Sequence, residues 1–210
     1  KSLVALLQHA GVSFGVIGPE ESCCGESMRK LGDEELFQKL AQSNIQLFNR
    51  RGVQKIITTS PHCLWTFVNE YPELGGDWEV VHYTTLLNQL RQEGRLTLGR
   101  EHDKRVAFHD PCYLGRHSSI FEAPRELLAD VVRGEPVVLE REREASLCCA
   151  GGGGRIWAEV PVGERFGEMR IKDALAAGAD VLATSCPYCV NMLTDACKSL
   201  EQQDSLAIVE

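Results

Sequence analysis

"GVQKIITTSPHC" (residues 52–63) and "GADVLATSCPYC" (residues 178–189) are the same phrase written twice, 126 residues apart. Each has a Gly, a β-branched run, a Thr, and then a Pro-aromatic-Cys turn, with His62 counted as aromatic. An apolar run bounded by turn residues reads as a strand, and the Pro that follows suits the first turn of a helix. The pair Cys23-Cys24 recurs as Cys148-Cys149 at an offset of 125. In both halves the double cysteine is followed by a helix, a strand and the Pro-containing turn. The chain therefore reads as two copies of one α/β unit, joined near residues 94–104. The expected division is 1–100 and 101–210. A repeat this long means duplicated domains and not a solenoid.

The rest of the chain alternates in the same way. Strands are expected at 12–17 ("VSFGVI"), 55–59, 79–83, 105–109, 136–140 ("PVVLE") and 180–185, with a final edge strand in "LAIV". Helices are expected over 33–51, 84–93, 162–177 and 188–200, and Pro124 is placed to open another through "RELLADVV". Alternation of this kind implies parallel sheets covered by helices. The fold class is α/β: two tandem Rossmann-like units with cysteine-rich loops at the carboxyl ends of the strands.

The chain has 210 residues, 43% hydrophobic and 25% charged, with a net charge of -8. The acidic balance argues against nucleic acid and anionic membrane surfaces as partners. No apolar run reaches the ~18 residues of a transmembrane helix, and the start carries no signal peptide. It also lacks an initiator Met, so a longer parent chain is expected. Nine cysteines are too few for a disulfide scaffold, and a chain of this length builds its own core. Without a secretory signal the expected compartment is reducing and cytoplasmic, where clustered cysteines signal metal or redox chemistry.

In the second half, Cys112 is followed after 35 residues by Cys148-Cys149, and after 36 more by Cys186-Pro187-Tyr188-Cys189. Cys112 and Cys186 both follow strands, at the sheet edge where open α/β folds bind ligands. The double cysteine ends a loop that reaches the same edge. Five thiols exceed the four that tetrahedral zinc takes. Neighbouring cysteines, with Cα atoms about 3.8 Å apart, are also awkward on one small ion. A multi-iron cluster offers several attachment points. The helix N-terminus behind Pro187 favours thiolates. Gly151 to Gly154 allow positive φ and a close approach of backbone N–H groups to sulfur, and such hydrogen bonds tune a cluster's potential.

"HDPCYLGRH" (109–117), "CCAGGGGRIW" (148–157) and "CPYC" (186–189), with "SCCGE" and "SPHC" in the first half, resemble the cysteine-rich, or CCG, domain. It occurs in the B and D components of heterodisulfide reductase and in related iron–sulfur oxidoreductases. The resemblance implies an oxidoreductase module whose Cys112, Cys148, Cys149, Cys186 and Cys189 hold a noncubane [4Fe–4S] cluster, with one thiolate bridging. The "HDPCYLGRH" wording is similar to membrane-associated members that work with electron-transferring flavoproteins and quinones. The implied partner is a flavoprotein or another iron–sulfur protein, at the cytoplasmic face of a membrane. Direct reduction of a disulfide substrate is the alternative within the family, and a zinc-stabilised interaction module the alternative outside it. Two departures stand out. Ala150 occupies the place of the motif's Gly. The first half has Ser60 where the second has Cys186, and the counterpart of Cys112 falls about 14 residues before Lys1. Cys23, Cys24 and Cys63 remain there, either as ligands of a second cluster, completed as a cubane by that upstream cysteine or by Ser60 through oxygen, or as a remnant.

Plainer roles stand beside these. Cys197 fits no motif and reads as core, as do Trp65 and Trp157. His82 reads as a strand residue. His109 either ends a strand or hydrogen-bonds or carries protons near the cluster, and Asp110 either caps the following turn or joins it there. Arg116 and His117 balance between anion attraction and the surface. His62 and Tyr188 balance between packing and chemistry. "EREREA" (140–145) reads as a solvated face.

Overall fold

In the computed structural model every residue is described except Arg100, Glu101, Val162 and Glu164. The chain forms two compact units, Lys1–Thr97 and Leu98–Glu210. The division expected between residues 100 and 101, and the start of the helix expected from Val162, lie outside the described residues.

The first unit holds α1 (Ser2–His9), α2 (Glu26–Leu31), α3 (Glu34–Arg50), β1 (Lys55–Thr58), α4 (Pro61–Asn69), β2 (Glu79–His82) and α5 (Tyr83–Gln92). Asp33 caps α3 by accepting the Leu36 N–H at 3.0 Å, satisfying one of the donors a helix start leaves open. The buried face of α3, with Phe37, Ala41, Ile45 and Phe48, follows the helical period and packs with Phe67 and Tyr71 into one core. β1 and β2 pair in parallel, Lys55 against Glu79 through Thr58 against His82.

The second unit holds β3 (Val106–His109), α6 (Glu122–Val131), α7 (Phe166–Ala176), β4 (Val181–Thr184), α8 (Pro187–Ser199) and β5 (Ala207–Val209). Its sheet is parallel in the order β3-β4-β5. All four residues of β3 are buried, as expected for a parallel strand covered on both faces. Gly167 of α7 lies so close to α8 that a Cβ there would sit 3.1 Å from that of Ala196. The architecture is α/β with small parallel sheets.

Two expected strands do not form. Residues 12–17 make no ladder, and Val16 is 75% exposed. β-branched residues without a neighbouring strand have no partner for their backbone groups. "PVVLE" makes one bridge, Ala107 to Val137, and then turns Val138 out to solvent. The helix containing Pro124 begins two residues earlier, at Glu122. α1 occupies a stretch where no helix was expected.

Candidate metal centre

The second unit's strands set the position of the thiols. His109 and Thr184 are register partners at the ends of β3 and β4. Three residues beyond His109 lies Cys112, which opens a single π turn over Tyr113–His117. Two residues beyond Thr184 lies Cys186, the extended N-cap of α8, with Pro187 at the first helical position. Cys189 thus falls in the first turn of α8, where the helix dipole favours negative charge. The loop before α7 brings in Cys148 and Cys149.

The five sulfurs are linked by successive pairwise contacts. Cys112 and Cys149 both hydrogen-bond to Cys148. Cys189 donates to Cys149 at 3.2 Å and also contacts Cys186. The result is one unbroken run of neighbours, 112-148-149-189-186, containing no disulfide. Hydrogen bonds from Cys112 and Cys149, joined by the Ala150 N–H at 3.2 Å, hold the Cys148 thiol well below the ordinary value. Donating to Cys148 pushes Cys112 and Cys149 up. The run draws on three segments far apart in sequence, so only the fold brings it together.

The backbone after the double cysteine has a repeated geometry. Ala150 is left-handed, φ 66, and aims its N–H at Cys148. The Gly151 N–H points to Cys149. In the first unit Gly25 has φ 83, its N–H lies 3.4 Å from the Cys23 sulfur, and the Glu26 N–H points to Cys24. Ala150 therefore adopts the conformation of the Gly it replaces, at a cost of ~1–2 kcal/mol for an L-residue. Of the four following glycines, Gly153 and Gly154 use positive φ. Gly151 is needed for room: a Cβ would lie 2.8 Å from Met192 Cγ and 3.6 Å from the Cys149 sulfur.

The surroundings suit a sulfur-bound inorganic group. His109 Nε2, Thr184 Oγ1 and Ser185 Oγ are buried at the strand ends with no hydrogen-bond partner, an arrangement native interiors rarely leave unused. A ring nitrogen of His109 and the sulfurs of Cys149 and Cys189 lie within 4.8 Å of one another. Burial and the Arg170 charge push the His109 imidazole down to about 3. A cavity of about 430 Å³ reaches Cys149 and is also lined by Ile156, Trp157, Arg165 and Met192.

Other expected residues serve the scaffold. Asp110 is 3% exposed. It braces the loop carrying the double cysteine and does not cap its own turn: it takes two hydrogen bonds from Arg125 and the N–H of Arg143. Arg116 donates to the carbonyls of Glu144 and Ser146, so "EREREA" is tied down in part: Arg143 pairs with Glu122 and Arg141 with Asp173. The His117 ring lies beside Tyr113. Cys197 is in the core and donates to the Leu206 carbonyl. Trp157, expected in the core, is 61% exposed on the cavity's rim; Trp65 is partly exposed. His82 ends β2, fully buried, and caps α5.

The first unit repeats part of the site. Cys24 contacts Cys23 and Cys63, and Ser60, the N-cap of α4, hydrogen-bonds Cys63. Buried His62 faces Glu26, Nδ1 to Oε1 at 3.3 Å. Sequence reasoning passed over Arg170. Its signal was present: a cation on the same face of α7 as Gly167, Ile171 and Ala174, all buried.

Fold and site together define a class: an α/β cysteine-rich domain whose loops gather thiols at the ends of parallel strands. The chain belongs to the CCG family of cysteine-rich domains, whose model matches residues 1–68 and 106–194. It is 42% identical over 205 residues to the probable iron–sulfur-binding oxidoreductase FadF of Bacillus subtilis, covering 98% of this chain and 29% of that protein. It is 38% identical over 217 residues to the EtfAB:quinone oxidoreductase of Syntrophomonas wolfei, covering 100% and 30%. It is 33% identical over 197 residues to the D component of the dihydromethanophenazine:CoB–CoM heterodisulfide reductase of Methanosarcina barkeri, covering 90% and 48%. These relatives are oxidoreductases, and the chain spans less than half the length of each.

Proposed function

We propose that this chain is the iron–sulfur electron-transfer module of a larger oxidoreductase. It is read as two Rossmann-like repeats, with the working cluster on Cys112, Cys148, Cys149, Cys186 and Cys189. The observation that carries this reading is the unbroken run of five thiols. Zinc takes four ligands, whereas a cluster with several irons gives adjacent Cys148 and Cys149 separate attachment points. A noncubane [4Fe–4S] group held there supplies one-electron transfer at a potential set by its ligands and hydrogen bonds. The chain's own part is to hold the thiolates and screen them. The α8 N-terminus and the Ala150 and Gly151 amides favour negative sulfur, and Cys149, Cys186 and Cys189 are buried.

Kinship with the Syntrophomonas relative, whose name joins EtfAB to a quinone, favours an electron-transferring flavoprotein as donor and a quinone beyond this chain as acceptor. The setting would be the cytoplasmic face of a membrane; among the described residues no helix is long and apolar enough to cross one. The cavity ending on Cys149 favours a second reading, reduction of a small disulfide at the same site. In the first unit, Cys23, Cys24 and Cys63 with Ser60 form a candidate second site.

The test is anaerobic purification and reconstitution, with iron, acid-labile sulfide and zinc counted per chain. About four irons per site and loss of the cluster signal in Cys149→Ser and Cys186→Ser are expected. Stoichiometric zinc without iron, or a wild-type signal in both variants, refutes the assignment.

A further inference from the structure

Arg170 is fully buried. Its Nε donates to His109 Nδ1 at 3.1 Å, Nη1 to the Arg141 carbonyl at 2.6 Å and Nη2 to Ser146 Oγ at 2.8 Å. Asp173, at 3.7 Å from Nη1, is the acidic side chain paired with it. A guanidinium has five donors and no acceptor. His109 Nδ1 must therefore offer a lone pair, and the single ring proton of the neutral imidazole sits on Nε2. That second nitrogen is buried and finds no partner within the protein, while a ring nitrogen of the same residue lies within 4.8 Å of two of the site's sulfurs.

We infer that His109 donates its Nε2–H to a sulfur of the group held by the five cysteines, and that Arg170 is the positioning residue that fixes the required tautomer. The inference rests on the iron–sulfur reading above and adds to it a device for setting the potential. It also distinguishes two roles for His109. Proximity alone would admit it as a metal ligand beside Cys149 and Cys189. Ligation through Nε2 would require the proton on Nδ1, where it would face the Arg170 Nε–H across 3.1 Å, donor against donor. Arg170 thus makes His109 a hydrogen-bond donor. An N–H aimed at sulfur stabilises the more negative, reduced state and raises the potential. The buried guanidinium charge behind the ring acts in the same direction. The arrangement also ties the end of β3 to the loop before Cys148 through Ser146.

The inference is tested on the full chain, first free of metal and then reconstituted without oxygen. In the metal-free protein, nitrogen-15 shifts of His109 are expected to show the Nε2-protonated tautomer; the Nδ1-protonated form overturns the assignment. In the reconstituted protein, His109→Leu is expected to keep the wild-type iron content with a lower midpoint potential. His109→Gln, which retains an N–H, should recover part of the difference. Arg170→Lys, also donor-only, should keep the tautomer and the potential. Arg170→Gln, which can donate or accept, should give mixed tautomers and a lower potential. Unchanged potential in His109→Leu at full iron content overturns the donor role, and loss of iron in both His109 variants makes His109 a ligand and overturns it equally. Wild-type protein that takes up no iron sinks the iron–sulfur reading instead, and the metal-free tautomer still decides whether Arg170 fixes the ring.

Discussion

Removing the Asp110 carboxylate should loosen the second unit. The two oxygens accept from Arg125 at 2.5 and 2.9 Å, and one also accepts the Arg143 N–H at 2.8 Å. Breaking a buried ion pair by deleting one partner costs ~3–5 kcal/mol because the other charge is stranded. Arg125 is not wholly buried, its side chain being 16% exposed. It keeps the Phe121 carbonyl at 3.1 Å and Glu142 at 3.6 Å. The expected loss in Asp110→Ala is therefore lower, ~2–4 kcal/mol. The chain has two units, so whole-protein unfolding is a poor measure. Native-state hydrogen exchange of the β3 and β4 amides in the metal-free chain reads the second unit alone. The loss corresponds to exchange faster by about 30- to 900-fold. Arg125→Met added to Asp110→Ala removes the stranded charge, so the double variant should be milder than the sum of the singles by ~1–3 kcal/mol. Strictly additive effects, or exchange within a factor of about three of wild type, would refute the brace.

Three further outcomes follow from the site. Gly25→Ala should destabilise the first unit by ~1–3 kcal/mol, since its φ is 83 and the new Cβ would lie 2.9 Å from Phe37 Cδ2; hydrogen exchange in α3 is the measure. Ser60→Cys should alter the iron content or the midpoint potential of the reconstituted chain if the first unit holds a cluster, and a protein unchanged in both identifies a remnant. In metal-free protein the exposed Cys23 thiol is lowered to about 6, chiefly by its hydrogen bond with Cys24. A lowered value means the thiolate persists down to that pH, so iodoacetamide labelling of Cys23 should rise through about pH 6 and level off by neutrality. Labelling that keeps rising toward the ordinary thiol value of ~8.5 would contradict the Cys23–Cys24 contact.

What could be read in the sequence was whatever is written locally and twice. β1 and β4 were legible because each packs a β-branched run against a Gly and a Pro, and the copies confirm one another. "VSFGVI" and "PVVLE" carry the same local signal and fail, because a parallel strand exists only where another strand's backbone meets it; "PVVLE" finds one residue of β3 and no more. The cysteine loops were legible through their spacing and the Pro turns. The donors around them were not. Arg170 reaches His109 across 61 residues and Ser146 across 24, and no local pattern encodes either contact. Trp157 was misplaced because an aromatic residue is apolar wherever it sits, and only the fold puts it on a cavity rim. The two halves, set side by side, separate what the sulfurs need from what the fold needs. Both units place two successive amides, at 25–26 and 150–151, on the two sulfurs just before them, although only the second assembles five thiols. That backbone cradle therefore does not depend on a full ligand set. It follows from a left-handed residue after the double cysteine, which Ala150 adopts against its own preference.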